Sequence, residues 1–199
     1  MDTRVGGVLL AAGEGSRLGQ PKALVEIAGQ RLADRGVALL RAGGADPVVV
    51  VTGAASVEPA GAVVVHNPDW RSGMGSSLVT GLRALPEDVS AAVIALADQP
   101  LIGAEAIRRL IVAYHDGASV AVAAYDGQPR NPVLIARPHW AEVIASSVGD
   151  VGARVFLRDH SDLVTRVECG DTGSADDIDT ADDLTRVSDA MRARDVRLS

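Results

Sequence analysis

The sequence predicts an α/β fold in which helices cover both faces of a mostly parallel central sheet. Short apolar runs rich in valine and alanine alternate along the chain with segments of helical periodicity. These runs are mostly continuous, which is typical of strands with both faces covered. Because only 3% of the residues are aromatic, the core is expected to consist of small and branched aliphatic side chains.

Each element follows from a local pattern. Continuous apolar runs rich in β-branched residues predict five strands, at residues 5–11, 47–52, 61–65, 91–97 and 119–124. Apolar residues at helical spacing predict a first helix over 32–40, which ends at Gly43 and Gly44, and a second over 78–85, which ends at Pro86. A third helix is predicted over 107–114, and the last helix is expected to begin at Thr180. Strand and helix in regular alternation indicate a doubly wound sheet.

The chain is expected to form a single domain over residues 1–199. Its length falls in the usual range for one domain, and 47% hydrophobic residues are enough to fill a sizeable core. No repeat, linker or low-complexity stretch divides it. The single cysteine, Cys169, excludes an intramolecular disulfide and a cysteine-based zinc cluster.

The charge distribution excludes some partners and favours another. A net charge of −7 argues against a nucleic-acid or membrane surface. No apolar stretch reaches membrane-spanning length, and the run near the N-terminus is broken by Gly6 and Gly7, so a cytoplasmic protein is expected. Residues 1–45 nevertheless carry six basic and four acidic residues, and they include Lys22, the only lysine. An anionic ligand is therefore expected near the start of the chain.

A glycine-rich segment follows the first predicted strand. Gly13, Gly15 and Gly19 allow a turn whose backbone N–H groups face phosphate oxygens, while Arg17 and Lys22 add positive charge. A tight surface turn is the alternative interpretation. The glycine spacing is one residue too long for the dinucleotide fingerprint, and the lysine lacks the neighbours of a Walker A loop.

Two acidic residues are candidate ligands of Mg²⁺. Asp98 directly follows an apolar strand, at the edge of the sheet where ligands bind in such folds. Mg²⁺ needs only one or two carboxylates when phosphates and water complete its coordination. Asp179 precedes the last helix and could supply the second carboxylate. Alternatively, Asp98 could cap the turn before Pro100, and Asp179 could belong to a capped helix start.

Small residues over 73–77 could offer N–H and O–H donors to a nucleotide, although Ser76 and Ser77 could equally be ordinary helix caps. No nucleophile elbow of the form G-x-S-x-G is present, and the four histidines are far apart. Nucleotidyl transfer to a phosphate requires no side-chain nucleophile, because a phosphomonoester is already anionic at neutral pH.

Several of these segments together resemble the molybdenum-cofactor nucleotidyltransferases, MobA-like NTP transferases, and especially their CTP:molybdopterin cytidylyltransferase branch. The resemblance extends over nearly the whole chain. It is carried by residues 10–22, Asn67, Trp70, Gly73, Met74, Ser77, 98–100, 131–133, 149–150, 152–154 and 177–180.

The resemblance implies a Rossmann-like, three-layer nucleotidyltransferase fold and assigns roles to individual residues. Arg17, Lys22 and Asp98 would be catalytic, and Asp98 with Asp179 would hold Mg²⁺. The nucleotide would contact Leu10, Ala11, Ala12, Gly13, Gly15, Ser16, Arg17, Lys22, Gly75, Ser76 and Ser77. The acceptor would contact Arg130, Asn131, Pro132, Asp150 and Arg154.

The implied reaction transfers CMP, or alternatively GMP, from the nucleoside triphosphate to a pterin-type or other phosphate-bearing acceptor, and a molybdoenzyme would receive the product. The sequence has Arg130-Asn131-Pro132 where the cytidylyl branch typically has Gly-His-Pro, so the acceptor is less determined than the nucleotide. Two alternatives stay open. The first is a nicotinamide-dependent oxidoreductase acting on a nicotine-derived pigment, and the second is a nucleotide-binding protein without turnover.

Overall fold

The computed structural model describes residues 3–198, with side chains described up to Arg192. Its centre is a seven-stranded sheet in the order β5-β4-β1-β6-β8-β7-β9. The strands are β1 (Arg4–Ala11), β4 (Val48–Thr52), β5 (Val63–His66), β6 (Val89–Leu96), β7 (Val120–Tyr125), β8 (Gln128–Ala136) and β9 (Val164–Glu168). Strands β2 (Glu26–Ile27) and β3 (Gln30–Arg31) form a separate small hairpin.

The central sheet is mostly parallel, as the sequence predicts. Among the described residues, β8 alone runs against the other strands of this sheet, because it pairs antiparallel with both β6 and β7. The chain leaves β1 for β4 on one side and later returns to β6 on the other side. The carboxyl ends of β1 and β6 therefore form the topological switch point, where ligands bind in open α/β sheets.

Helices cover both faces of the sheet and complete three layers. One face is covered by α1 (Leu32–Ala42) and α3 (Ala104–His115). The other is covered by α2 (Met74–Ala84), α4 (Trp140–Ser146) and α5 (Arg154–Asp159). Side chains of β1 alternate between the two apolar clusters, with Leu9 in the first and Val8 in the second. This pattern confirms the prediction that both faces of the central strand are covered.

Two glycines bring helices close to β1. A Cβ at Gly36 of α1 would lie 2.5 Å from Leu9 Cδ1, and a Cβ at Gly81 of α2 would lie 2.4 Å from Val8 Cγ1. Real Cβ contacts are essentially never this short, so a larger side chain would displace either the contacted strand side chain or the helix. Close packing at these two points fixes the helices beside the carboxyl end of β1.

The last helix, α6 (Ala181–Leu198), packs over the small hairpin. Its Val187 and Met191 belong to a third apolar cluster with Val25, Ile27 and Ile178. The predicted start is confirmed: the N–H and Oγ1 of Thr180 donate to Asp183 Oδ2, and the Asp183 N–H donates back to Thr180 Oγ1 at 3.2 Å. This reciprocal cap closes the acidic segment that precedes α6. Within the described residues, no helix is long and apolar enough to cross a membrane.

Three features differ from the sequence prediction. The valines of β5 are exposed, 53% for Val63 and 36% for Val64, because β5 is an edge strand without a helix over one face. Strands β8 and β9 and the short hairpin were not predicted. Prolines at 129 and 132 explain why β8 resembles a loop in sequence, since proline is rare inside sheets. Helices α4 and α5 were also missed, and both are short.

Candidate active site

The glycine-rich loop after β1 folds back on itself. The Leu18 N–H donates to Gly15 O at 2.8 Å, and the Lys22 N–H donates to Gly13 O at 3.3 Å. Gly15 has φ +59°, and a Cβ on it would lie 2.1 Å from the Gln20 carbonyl oxygen. Only glycine satisfies both conditions at this position. The closed loop places Lys22 beside the residues that leave β1.

Lys22 joins two acidic residues that are distant in sequence. Its Nζ donates to Asp98 Oδ2 at 2.5 Å and to Asp179 Oδ1 at 2.6 Å. Asp98 reaches this point because β6, which it follows, lies parallel to and beside β1. Asp179 reaches it because the buried Ile178 donates its N–H to the Asp98 carbonyl at 2.9 Å. We call Lys22, Asp98 and Asp179 the carboxylate–lysine cluster.

This geometry gives the Asp98 carboxylate a partner outside the turn that follows it. Asp98 Oδ2 accepts a hydrogen bond from Lys22, and the Asp98 backbone carbonyl holds Ile178. Asp179 likewise directs its carboxylate at Lys22, while Asp183 accepts its N–H. Both acids are therefore turned towards the loop after β1.

Partial burial makes the cluster electrostatically strong. The side chains of Lys22 and Asp98 are 19% and 18% exposed. Burial alone would lower the pKa of Lys22, but the negative charge of Asp98 and hydrogen bonds to both carboxylates outweigh it and raise that pKa. The hydrogen bond from Lys22 lowers the pKa of Asp179. Lys22 and Asp179 are consequently charged at neutral pH, and the attraction within the cluster is less screened than at an open surface.

Gln99 holds the acidic segment against this cluster, a role that the sequence did not reveal. Its Nε2 donates to Asp177 Oδ1 at 2.7 Å and to the Ala175 carbonyl at 3.1 Å. Burial, followed by the nearby charge of Asp98, raises the pKa of Asp177. In the sequence, Gln99 directly follows Asp98, is polar between apolar runs and belongs to the segment 98–100 that carries the family resemblance. A buried amide thus links the two segments that carry the acids.

A cleft of about 510 Å³ opens beside the cluster at the carboxyl ends of β1 and β6. Eight of the residues predicted for the site line it, namely Leu10, Ala11, Ala12, Gly13, Lys22, Ser77, Asp98 and Asp150. Arg17 projects from the same loop, is 71% exposed, and places a guanidinium nitrogen 3.7 Å from Asp179 Oδ2. Gly15 and Ser16 belong to the loop but lie outside the cleft lining. The predicted phosphate loop and the acids are therefore brought together.

The start of α2 forms a second wall of the cleft. The N-cap is Gly73 rather than a serine, and Ser76 and Ser77 lie inside the first turn. Asn67 Nδ2 donates to the hydroxyl oxygens of both serines, at 2.8 and 3.0 Å. Gly75 packs against the segment that follows α4, since a Cβ there would lie 2.6 Å from the Ser147 carbonyl. Of the three residues predicted here to contact nucleotide, Ser77 lines the cleft and Gly75 and Ser76 do not.

The residues predicted to contact the acceptor are divided between two places. Asp150 lines the cleft, and its Oδ1 accepts the Met74 N–H at 3.3 Å, so it also satisfies a free donor at the start of α2. Arg130, Asn131 and Pro132 belong to the first half of β8, and Arg154 begins α5. The antiparallel register places that half of β8 near the carboxyl end of β6, outside the cleft lining.

Trp70 and Arg71 form part of the cleft wall that faces the loop after β1. The Arg71 guanidinium lies 4.4 Å from the centroid of the Trp70 ring, within the range of a cation–π interaction. The Trp70 side chain packs closely against Gly53, where a Cβ would approach within 2.6 Å of it. Neither residue was predicted as a site residue. Their signal in the sequence is a tryptophan in a chain with few aromatics.

The cluster fits a divalent cation of the magnesium type. Two carboxylate oxygens converge on a single positive group, and carboxylate oxygen is the ligand that Mg²⁺ prefers. Residues 3–192 contain no group of three or more His, Cys, Asp or Glu side chains able to hold a metal ion. A cation at Asp98 and Asp179 would consequently depend on oxygens of a bound substrate to complete its coordination.

Comparison with known proteins identifies the family. Residues 7–164 match the MobA-like NTP transferase domain. The nicotine blue oxidoreductase of Paenarthrobacter nicotinovorans is 38% identical over 200 aligned residues, which cover 92% of this chain and 96% of that protein. A probable molybdenum cofactor guanylyltransferase of Opitutus terrae is 49% identical over 45 residues, covering 23% of this chain and 22% of that protein.

A solved structure of a homologue of Mycobacterium tuberculosis Rv0371c, from Mycobacterium sp. strain JC1, is 32% identical and superimposes with a TM-score of 0.79 over the whole of both chains. The superposition over the whole chain and the family match over residues 7–164 therefore agree. This chain belongs to the MobA-like NTP transferase family.

Proposed function

We propose that the protein transfers a nucleoside monophosphate, CMP in preference to GMP, from a nucleoside triphosphate to the phosphate of a molybdopterin-type acceptor. Pyrophosphate is the second product. The observation that carries this proposal is the carboxylate–lysine cluster, in which Lys22 contacts Asp98 and Asp179 beside the cleft. A molybdoenzyme would receive the nucleotide-linked cofactor.

In this proposal the loop after β1 binds the triphosphate. Lys22 and Arg17 supply positive charge, and the loop supplies backbone N–H groups. Asp98 and Asp179 would hold Mg²⁺, which neutralises charge on the phosphate oxygens when it is bound. The remaining contribution of the chain is alignment, because the acceptor is already a nucleophile.

The reaction is a displacement at phosphorus. An oxygen of the acceptor phosphate forms a bond to the α-phosphorus, the bond from that phosphorus to the β-phosphate oxygen breaks, and pyrophosphate leaves with the electron pair. Neither acid nor base from a side chain is required for the attack at neutral pH. Lys22 and Arg17 stabilise the negative charge that develops on the transferred and leaving groups.

A resemblance at the start of α2 supports the nucleotide preference. The Gly73–Ser77 segment resembles the cytidylyl branch, which favours CTP, while the guanylyltransferase relative keeps GTP as the second nucleotide. Asp150 lies in the same cleft and would face the acceptor, whereas Arg130, Asn131, Pro132 and Arg154 lie outside the cleft lining.

The test is pyrophosphate release with CTP or GTP and molybdenum cofactor, with and without Mg²⁺. We expect release that requires both acceptor and Mg²⁺ and is faster with CTP. Nucleotide-dependent thermal shifts with CTP, GTP, ATP, NADH and NADPH provide an assay that needs no acceptor. Stabilisation by nucleoside triphosphates without any release under these conditions would favour a binding protein without turnover.

A second candidate is reduction of a nicotine-derived pigment with a nicotinamide cofactor, in which a hydride passes from the cofactor to the pigment. The relative from Paenarthrobacter nicotinovorans carries a name of this kind. Against it, β4 ends at the buried Thr52 rather than at an acid that would bind a ribose hydroxyl. Stabilisation by NADH or NADPH but not by CTP, together with pigment-dependent oxidation of the cofactor, would replace the transferase proposal.

A further inference from the structure

The Lys22 ammonium lies at the position that a bound cation would take. Its two hydrogen bonds, 2.5 Å to Asp98 and 2.6 Å to Asp179, are shorter than the usual charge-assisted N–H···O distance of about 2.7–2.9 Å. The accepting oxygens belong to the same two carboxylates that are assigned to Mg²⁺. Lys22 therefore neutralises the two carboxylates that are assigned to the cation.

We propose that Lys22 is a displaceable counter-cation, which keeps divalent cations out of the site until a nucleoside triphosphate draws its ammonium away. This inference rests on the proposed function, since it concerns the same site. It implies that nucleotide and divalent cation bind with positive coupling, each raising the affinity for the other. The assigned oxygens would then be released to the cation only in the ternary complex.

Charge balance favours replacement of the Lys22 ammonium by the divalent cation over binding of both at the two carboxylates. Lys22 and Arg17 carry two positive charges beside Asp98 and Asp179, and Asp177 is a further acid close by. Addition of a doubly charged cation without any other change would leave a positive excess around Lys22 and Asp98, whose side chains are only 18–19% exposed. The polyanionic triphosphate removes that excess, because it provides a new partner for the ammonium.

The structure also provides the space for the ammonium to move. Lys22 lines the cleft together with Ala12 and Gly13, so phosphates bound at the loop would lie within reach of its side chain. Its backbone is fixed by the hydrogen bond to the Gly13 carbonyl. The exchange therefore requires rotation of the flexible lysine side chain and no rearrangement of the loop.

The first experiment measures binding of Mn²⁺ alone, as a spectroscopic probe for Mg²⁺, by electron paramagnetic resonance. Lys22→Met should bind Mn²⁺ more tightly than the wild type by a factor in the range of about 5–150 that is typical of coupling between sites. Arg17→Met is the matched control, because it removes a cation from the same loop that lies 3.7 Å from one acid and is mostly exposed. It should change the affinity much less. Thermal melts of both variants verify folding.

The second experiment uses the wild-type chain and does not depend on a variant. Because Lys22 is the only lysine, ¹⁵N-lysine labelling gives a single side-chain amine resonance. A non-hydrolysable CTP analogue with Mg²⁺ should shift this resonance as the ammonium exchanges its partners. The same analogue should raise the affinity of the protein for Mn²⁺, once the Mn²⁺ bound by free analogue in solution is subtracted.

The outcomes separate the inference from the proposed function. An amine resonance unchanged at saturating analogue, or equal Mn²⁺ affinity of the wild type and Lys22→Met, would overturn the exchange while the metal site remains. Absence of specific Mn²⁺ binding in every variant, with or without analogue, would overturn both. Tighter Mn²⁺ binding by Lys22→Met, with little change in Arg17→Met, would support the displaceable counter-cation.

Discussion

Replacement of Asp98 by Asn removes the charge of this side chain and preserves its shape. In the wild type its carboxylate accepts a 2.5 Å hydrogen bond from Lys22, with the side chain 18% exposed. Asn still offers a carbonyl oxygen to the ammonium, and Asp179 keeps its own bond to Lys22. The fold therefore loses the difference between a charge-assisted and a neutral hydrogen bond, about 1 kcal/mol. For a chain of 199 residues this lowers the Tm by about 2–4 °C.

The effect on activity should be much larger than the effect on stability. Asn is a weaker ligand than a carboxylate for Mg²⁺, and the site has only Asp179 as its other assigned acid. We expect turnover in the pyrophosphate assay to fall by about 10²–10³, the usual cost of losing one electrostatic group in an active site. Titration of Mg²⁺ against CTP affinity should show that the cation no longer strengthens nucleotide binding.

Asp176→Asn is the matched control for this experiment. Asp176 lies in the same acidic segment, but it forms an ion pair with Arg186 and is 49% exposed. Its replacement should leave both the Mg²⁺ dependence and the turnover near wild-type values. If Asp98→Asn instead retained the wild-type Mg²⁺ dependence of CTP affinity, the assignment of Asp98 as a metal ligand would be refuted. If it lost several kcal/mol of stability, its role would be mainly structural.

Further predictions concern the loop and the start of α6. Gly13→Ala should leave the Tm unchanged, since no atom lies within 4 Å of the added Cβ, but should weaken CTP binding if the loop holds phosphates. Gly15→Ala should cost about 1–3 kcal/mol, because its φ is +59° and the Cβ would meet the Gln20 carbonyl; equal melts of the two variants would contradict this loop geometry. Hydrogen bonds from Thr180 and Arg186 lower the pKa of Asp183 from its ordinary value of 3.8 to about 2 in the folded protein. The stabilisation that this carboxylate provides is therefore complete above pH 3.8 and is lost as the pH falls through the folded-state pKa of about 2. The Tm advantage of the wild type over Asp183→Asn should therefore shrink between pH 3.8 and about 2, and a pH-independent difference would exclude this linkage.

The features predicted correctly from sequence are those fixed by neighbouring residues. The cap of α6 involves Thr180 and Asp183, three positions apart, and the end of α1 depends on Gly43. The sequence alone predicts Asp98 at the carboxyl edge of the sheet, because apolar strands end where polar residues begin. Such features are determined locally and leave a local signal.

The carboxylate–lysine cluster could not be derived in the same way. Lys22 and Asp98 are 76 residues apart, and Lys22 and Asp179 are 157 residues apart, so their meeting depends on strand order and on the burial of Ile178. Local sequence left a cap and a metal ligand as equal interpretations of Asp98. The position of β8 posed a related problem, since its first residues are polar and proline-rich and become a strand only between β6 and β7.

Family membership alone does not decide between nucleotidyl transfer and pigment reduction, because the matched relatives carry names of both kinds. The positive charge of Lys22 does not decide it either, since a nicotinamide cofactor also contains a diphosphate. The two acids favour nucleotidyl transfer. Pigment reduction assigns no role to Asp98 and Asp179, whereas a triphosphate with Mg²⁺ needs acidic ligands at this edge of the sheet. A requirement of Asp98 for turnover, shared with a requirement for Mg²⁺, would therefore identify the reaction as nucleotidyl transfer.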